Sequence, residues 1–399
     1  MKIQRRILAL LALLSVVTYL DRVLISVAGP RMQEELNIGP EAWGWVVGAF
    51  AAAYAVFEIP SGRLGDRFGP RRVLTRIVLW WSAFTVLTGM VSSYYLLVAT
   101  RFAFGAGEAG AYPNTSASIS RWFPPDQRSR AFGMIWMASQ AGAALTPLLV
   151  VPIQMRFGWR ASFFLFGLAG ALWALVWRRS HGDEPQAPAS KTSSHVLPWR
   201  LIFRSGNLWA VMMVALAYCY GMYFFLAWLH TFLVKGRGFS EQSLALSSLP
   251  FVLGALANAC GGYAGDVSTR RLGLKWGRRA MGITGLLVAG LAMLAVPFAH
   301  GKAAVLVLLG LCYGGITFQQ PSVWAVCLDI GGGHAGVVSA SMNTAAQIGS
   351  LLLSISFGYM VNLFGSYDLP LLPVGLMLLA GALLWLVIDP TRSLLRDAT

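Results

Sequence analysis

The chain has 399 residues, of which 56% are hydrophobic and only 12% are charged, and its formal net charge is +15. In soluble proteins about a quarter of the residues are charged. This composition therefore excludes a soluble protein and indicates an integral membrane protein. The four cysteines all lie in apolar stretches, which gives no pattern for a disulfide framework or a thiolate metal site.

Apolar windows of about 20 residues, the length that crosses a bilayer as a helix, recur along the whole chain. They predict an all-α integral membrane protein with twelve transmembrane helices, numbered here in chain order as spans 1 to 12. The spans cover residues 7–28, 43–62, 73–91, 95–118, 131–154, 161–178, 208–233, 242–264, 280–299, 303–327, 336–362 and 368–388. The first run begins like a signal peptide, but its length and its Asp21-Arg22 pair predict a retained span.

Basic residues are concentrated in alternate loops, which follow spans 2, 4, 6 and 8. Cytoplasmic loops of membrane proteins carry the excess of lysine and arginine, so both termini are predicted in the cytoplasm. We expect a multi-pass protein of the bacterial inner membrane. Nucleic-acid binding is not expected, because the positive charge does not form one soluble basic face.

The chain repeats a short pattern at an offset of 200 positions. The first copy is Gly62, Gly65 and Asp66, and the second is Gly262, Gly265 and Asp266. Parallel repeats of this kind are typical of two-bundle transporters that rock about a central site. We therefore predict two six-helix bundles related by pseudo-two-fold symmetry, over residues 1–178 and 207–399, with a cytoplasmic linker over 179–206.

Four charged residues lie inside predicted spans: Asp21 and Arg22 in span 1, and Arg101 and Glu108 in span 4. A charge at bilayer depth costs about 2.5–3.5 kcal/mol on insertion scales, so such residues tend to face a partner or a water-filled path. Span 1 runs outward and span 4 runs inward. At about 1.5 Å per residue, both arginines reach a similar level, and Glu108 lies two turns deeper on the face of Arg101.

Two guanidinium groups at one depth suit an organic anion, because each can hold a carboxylate through two hydrogen bonds. We predict that Arg22 and Arg101 bind the anion while Asp21 and Glu108 exchange protons. When the anion takes an arginine, the neighbouring carboxylate loses its cation and binds a proton more readily, so that substrate and proton load together. The alternative is mutual neutralisation for folding alone, for which apolar residues would cost less.

The segment from Gly62 to Arg72, GRLGDRFGPRR, resembles the loop signature of the major facilitator superfamily. Its glycines, acid and arginine stand in the expected places: Gly65, Asp66, Gly69 and Arg71. The resemblance implies the major facilitator fold and a cytoplasmic gating role for Gly65, Asp66 and Arg71, with Asp266 in a degraded second copy. The alternative is a turn with solvated charges.

A narrower resemblance to the anion:cation symporter branch rests on four further segments: YLDRVLISVA from Tyr19, RFAFGAGEAGAYP from Arg101, GWRASF from Gly158 and WLHTFL from Trp228. That branch includes proton-coupled carriers of galactonate, glucarate and hexuronates, and sialin-like carriers. The resemblance implies a sugar acid as substrate and supports the roles given to the four charged residues. It also implies pocket positions at Tyr19, Tyr54, Gln140, Trp324 and Asn343.

Span 7 contains two further residues to which the sequence assigns an expectation, Tyr220 and His230. Tyr220 is a polar group at membrane depth that is placed to complete the predicted pocket. For each neutral pocket residue, interhelical packing is the alternative. His230 stands where relatives usually have proline, and we expect a packed or interfacial histidine there.

No motif indicates an enzyme, since HExxH and GxSxG are absent from the sequence. The GxGxxG pattern from Gly105 to Gly110 lies in an apolar helix with no preceding strand, so we predict packing glycines there and no cofactor or metal. The sequence favours a symporter that works by alternating access, with an anion exchanger or a proton-driven exporter as the alternative. A passive channel is disfavoured by the acid and arginine arrangement. The expected partners are a small organic anion, protons and the lipid bilayer, and the expected state is a monomer.

Overall fold

The computed structural model describes residues 2–123, 125–180, 205–331 and 335–392. In these ranges every regular element is a helix. The predicted linker, apart from its first and last two residues, lies outside them. Each predicted span is largely helical, although span 4 is interrupted at Ala109 and Gly110, and only Leu371–Leu384 of span 12 is a regular helix.

Seven helices make up the N-terminal half of the described chain. They are α1 (Lys2–Glu35), α2 (Pro40–Phe68), α3 (Pro70–Thr88), α4 (Tyr94–Glu108), α5 (Ala111–Trp122), α6 (Pro125–Phe157) and α7 (Trp159–Ser180). Helix α1 packs mainly against α6, α2 against α4, and α3 against α7. Ser93 caps the N-terminus of α4, and its hydroxyl accepts a hydrogen bond from the backbone N–H of Leu96.

The C-terminal half contains five long helices and several short turns. The helices are α8 (Gly206–Tyr223), α9 (Ser248–Ala295), α10 (Lys302–Gly331), α11 (Ala335–Phe364) and α12 (Leu371–Leu384). Two π-helical segments, Phe224–Trp228 and Phe232–Gly236, follow α8, and a 3₁₀ helix, Glu241–Ser247, precedes α9. His230 lies between the π segments, is buried, and its Nε2 is 2.8 Å from Ser247 Oγ. It is thus a packed histidine, as predicted.

The contacts divide the chain into two compact units. Unit 1 comprises the described residues of Met1–Ser193 together with Ser240–Ala245, and unit 2 those of Ser194–Phe239 and Leu246–Thr399. The short insert Ser240–Ala245 is held in unit 1 by Arg31. This arginine donates hydrogen bonds to both carboxylate oxygens of Glu241 and to the backbone carbonyl of Gln154.

Seven helical stretches of the described residues are long and apolar enough to cross a membrane, judged by length and composition. Several helix boundaries differ from those of the sequence-based spans, two of them at the repeated glycine segments. Helix α2 continues through the glycine-rich segment to Phe68, and α9 continues through the corresponding segment of the second repeat. In both places the break is one glycine with positive φ, 83° at Gly69 and 75° at Gly273, a conformation that other residues adopt at a cost.

Close helix packing in unit 1 depends on glycine. A Cβ atom at Gly142 of α6 would overlap the backbone of Val16 in α1. A Cβ atom at Gly105 of α4 would overlap the Phe50 backbone, and one at Gly107 would overlap the Trp80 ring. The prediction that the GxGxxG pattern of span 4 serves packing is therefore confirmed.

Replacing Gly142 with alanine is expected to destabilise the protein. The new methyl group meets backbone that cannot rotate away, and overpacking of this kind costs about 1–3 kcal/mol. Gly133 of the same helix provides the control, because nothing lies within 4 Å of an added Cβ there. Gly133→Ala should leave the melting temperature of the detergent-solubilised protein unchanged or raise it, since alanine favours helix. Equal melting temperatures for the two variants would contradict the close approach.

In unit 2, Asp389 follows α12 and is the centre of a cluster of hydrogen bonds. The Asp389 carboxylate accepts a hydrogen bond of 2.6 Å from Lys275 Nζ and another from the Thr391 hydroxyl. Its backbone exchanges two hydrogen bonds of 2.7 Å with the amide side chain of Asn207. Burial opposes ionisation of Asp389, but the hydrogen bonds from Lys275 and Thr391 outweigh it and lower the pKa to about 2.

The Asp389 cluster predicts a defined acid dependence of stability. A carboxylate whose pKa is lower in the folded state stabilises the fold above its unfolded pKa, about 3.9, and loses that effect as the pH falls through the folded value. Asp389→Asn should therefore lower the denaturation midpoint at pH 7. The difference from wild type should shrink between about pH 4 and pH 2. The exposed Asp266 provides the control, and Asp266→Asn should leave the denaturation midpoint at pH 7 unchanged.

Candidate functional site

The charged residues of span 1 occupy the middle of α1, next to its close approach to α6. Asp21 is 2% exposed, and the Arg22 side chain is 12% exposed. The turn before them contains Val16, whose backbone lies against Gly142. This tight contact fixes the height of Asp21 and Arg22 within unit 1.

Glu108, the last residue of α4, forms an ion pair with Arg22. Its Oε1 lies 2.5 Å from Arg22 Nε, and the Glu108 side chain is 0% exposed. The helix stops here because the chain turns at Ala109 and Gly110 before α5 begins. A Cβ at Gly110 would overlap the Ser61 side chain, so a glycine is needed at the turn.

Aromatic rings surround the Arg22 guanidinium. Its central carbon lies 4.9 Å from the ring centre of Tyr54, 5.4 Å from Phe50, 5.5 Å from Tyr19 and 6.0 Å from Tyr112. These distances are in the range of cation–π attraction, which is stronger where water is excluded. The rings thus hold the positive charge in place and take up part of its lost hydration.

Arg101 joins the same cluster through Phe50. Its guanidinium carbon lies 5.3 Å from the Phe50 ring centre and 4.6 Å from that of Phe104, and the residue is 3% exposed. Arg22 and Arg101 therefore share one aromatic neighbour. The structure brings the two arginines together, although they are far apart in sequence.

Asp21 is buried close to opposite and like charges. Arg101 and Glu108 are both near enough for their charges to act on its carboxylate. Among the described residues, neither carboxylate oxygen of Asp21 has a hydrogen-bond partner, and the same holds for Arg22 Nη2 and Glu108 Oε2. Buried polar atoms are rarely left unmatched. The cluster, Asp21, Arg22, Arg101 and Glu108, therefore combines two cationic hydrogen-bond donors with two acidic acceptors in one buried place.

The side chains that commonly bind metal ions are not clustered in the described part of the chain. No group of three or more His, Cys, Asp or Glu side chains there could hold a metal ion. Two arginines beside two acids are instead groups that form charge-assisted hydrogen bonds.

Comparison with known proteins identifies the family. The family model described as Major Facilitator Superfamily matches residues 11–354. The chain belongs to the major facilitator superfamily. It is a membrane transporter, not an enzyme.

Three similar proteins are named as transporters of small organic acids. A probable sulfoacetate transporter of Cupriavidus necator is 34% identical over 98% of this chain and 94% of its own length. The hexuronate transporter of Bacillus subtilis is 27% identical over 94% and 91%. A probable L-galactonate transporter of Escherichia coli is 28% identical over 99% and 92%.

A solved structure shares the fold of this major facilitator chain. It is a bacterial homolog of the human lysosomal transporter Spinster in an inward-facing, unoccupied conformation. The match has a TM-score of 0.82 at 19% identity and covers 99% of this chain and 98% of that one. At this identity the likeness shows the fold alone.

The other predicted pocket residues of the major facilitator chain are spread over both units. Gln140 is buried on α6 in unit 1. In unit 2 the Tyr220 hydroxyl lies 3.0 Å from Ser356 Oγ, and Trp324 Nε1 is buried without a hydrogen-bond partner among the described residues. Asn343 is half-buried on α11.

The predicted gating residues are described only in part. Gly65 and Asp66 lie in α2, but their surroundings are outside the described side chains. Arg71 Nη2 donates a hydrogen bond of 2.6 Å to the backbone carbonyl of Arg178, which ties α3 to α7. Asp266 is exposed on α9. The charge relay among these residues stays a prediction.

Sequence reasoning missed part of the arginine's surroundings. Phe50 contacts both arginines, and Tyr112 adds a ring to Arg22. Tyr112 in turn contacts Trp136 and Ser139 of α6. The available signal was the spacing of four residues between Glu108 and Tyr112, one helical turn. Neutral aromatic residues are common in membrane helices, so that spacing alone did not distinguish Tyr112.

Removing one partner of the buried ion pair should be more costly than removing both. Glu108→Leu leaves the Arg22 charge buried without its acid, which costs about 3–5 kcal/mol. Adding Arg22→Met should restore much of the loss, because two apolar residues of similar volume need no partner. The measurement is the melting temperature of the three proteins in one detergent. A double variant less stable than Glu108→Leu alone would contradict this account.

Proposed function

We propose that the chain is a proton-coupled symporter of an organic anion and that it works by alternating access. The proposed architecture is twelve transmembrane helices in two six-helix bundles, with both termini on the cytoplasmic side of a bacterial inner membrane. The proposed substrate is a sugar acid such as an aldonate, an aldarate or a hexuronate. The observation that carries the proposal is the buried cluster of Asp21, Arg22, Arg101 and Glu108 in unit 1.

The arginines supply the anion site. Glu108 occupies the Nε edge of Arg22, while Nη2 is buried without a hydrogen-bond acceptor among the described residues. A carboxylate of the substrate would satisfy this atom, and Arg101 beside the same Phe50 ring would add a second charge. Rings around both guanidinium groups exclude water, which strengthens the attraction to the anion.

The acids supply the proton sites. Asp21 is buried with no hydrogen-bond donor among the described residues, so its charge is held only by more distant groups. Glu108 has Arg22 as its partner, and an anion that engages Arg22 weakens that partnership. Each carboxylate then gains by taking up a proton as the anion binds, which is reciprocal coupling between two ligands.

Neutral polar residues complete the proposed site. Tyr220, Trp324 and Asn343 in unit 2 carry hydrogen-bonding groups, and Tyr19, Tyr54 and Gln140 lie in unit 1. Such groups bind hydroxyls without adding charge. A charged half and a neutral polar half suit a substrate with a carboxylate at one end and hydroxyls at the other. Gating is assigned to Gly65, Asp66, Arg71 and Asp266.

A sulfonated acid is the second candidate substrate. The relative that is 34% identical to this chain is a probable sulfoacetate transporter, while the hexuronate and L-galactonate relatives are 27% and 28% identical. A sulfonate also binds guanidinium through paired oxygens. A panel of substrates therefore needs sulfoacetate beside the sugar acids.

Uptake by purified protein in proteoliposomes tests the proposal. An inward proton gradient should drive accumulation of one panel anion by the wild type. Glu108→Gln should lose this gradient-driven uptake, because the residue can no longer change charge, and should keep exchange of labelled for unlabelled anion. The exposed Glu34 provides the matched control, and Glu34→Gln should transport like the wild type.

The same assay separates the alternatives. An obligatory exchanger would take up anion only when the vesicles are preloaded with anion, whatever the pH gradient. A proton-driven exporter would move the anion in the direction opposite to the proton flow, so that an outward proton gradient would drive uptake into the vesicles. Unchanged gradient-driven uptake by Glu108→Gln would remove Glu108 from the coupling mechanism, and transport of neutral molecules alone would overturn the proposed substrate class.

A further inference from the structure

We propose that Tyr112 is the positioning residue for the anion-binding guanidinium of Arg22, and that Ser139 and Trp136 of α6 hold Tyr112 in place. The inference rests on the proposed function, since it assigns residues that set anion affinity. It adds a part of the site contributed by α5 and α6.

The Tyr112 hydroxyl is fixed by a directed hydrogen bond. Its oxygen lies 2.8 Å from Ser139 Oγ, and Ser139 Oγ lies 3.0 Å from the backbone carbonyl of Ile135. The carbonyl can only accept, so Ser139 uses its one proton there. Tyr112 must then donate to Ser139, and its phenol cannot turn to another acceptor without losing this bond.

The Tyr112 ring is fixed by stacking. Its centre lies 5.1 Å from the centre of the Trp136 ring, and the planes differ by 11°. Trp136 and Ser139 are three residues apart on α6, hence on one face of that helix. The same face thus contacts both the ring and the hydroxyl of Tyr112, which leaves little freedom for rotation of the side chain.

Tyr112 contributes to the aromatic enclosure of Arg22 from a separate part of the chain. Tyr19 belongs to α1, and Phe50 and Tyr54 belong to α2, whereas Tyr112 follows the turn at Ala109 and Gly110. Glu108 stands just before that turn. Glu108 before the turn and Tyr112 after it together constrain the direction of the Arg22 guanidinium.

Loss of this constraint should weaken anion binding and leave the maximal transport rate near that of the wild type. With Tyr112 free to move, Arg22 samples more orientations, and the anion must select the competent one, which raises KM. The maximal rate should stay near that of the wild type, because the proton-exchanging acids are unchanged. A role in folding alone would lower stability and leave KM unaltered.

The test compares three variants: Tyr112→Phe, Ser139→Ala and the double variant. Each single change removes one end of the hydrogen bond, so each should raise KM for the transported anion by roughly 3–10-fold with Vmax retained. The double variant should match the single variants, because the bond can be lost only once. Multiplied effects would mean two independent roles and would overturn the proposal.

Two controls remove hydroxyls elsewhere. Tyr95→Phe changes an exposed tyrosine of α4, and Thr146→Val removes a buried hydroxyl of α6 whose described hydrogen bond stays within its helix, to the Gly142 carbonyl. Both should leave KM unchanged. An equal rise in KM for Thr146→Val would indicate a general effect of altering α6 and would contradict a specific role of Ser139.

A readout without substrate keeps the two proposals separate. In protein labelled with ¹⁵N-arginine, the Nε–H signal of Arg22 is assigned by its loss in Arg22→Lys. Tyr112→Phe and Ser139→Ala should shift or broaden that signal, while Tyr95→Phe should not. An unaltered signal in both variants overturns the positioning role. Failure of every anion to bind the wild type instead overturns the proposed function, and the signal still decides the role of Tyr112.

Discussion

The site in unit 1 depends on the ion pair between Arg22 and Glu108. A guanidinium taken out of water needs a counter-charge, and the structure supplies it across two helices that are distant in sequence. Glycines make this possible. Gly142 brings α6 against α1, and Gly105 brings α4 against α2, so the helices that carry the charges stand at fixed heights.

Charge was the most informative signal in the sequence. Asp21, Arg22, Arg101 and Glu108 stood out because ionisable residues are costly in apolar helices, and depth along two opposed spans was enough to predict that the arginines meet. The helical content followed from composition in the same way. Both predictions rest on penalties large enough to dominate local detail.

The remaining features depend on smaller energies. Neither the continuation of α2 to Phe68 nor the break of span 4 at Gly110 follows from hydropathy, since one glycine decides each. Tyr112 is neutral, and its importance comes from contacts with Ser139 and Trp136 that no pattern announces. Trp324 and Asn343 were indicated only by resemblance, because a neutral polar side chain in a membrane helix has many possible partners.

The insert Ser240–Ala245 belongs to a different folded unit from the residues that precede and follow it in the sequence. Its neighbours on both sides, Phe239 and Leu246, belong to unit 2, yet the insert is bound to unit 1 through Arg31 and Glu241. The backbone therefore crosses from one unit to the other and back within a few residues. A fragment that ends at residue 193 would therefore contain Arg31 without Glu241, its partner inside the same unit.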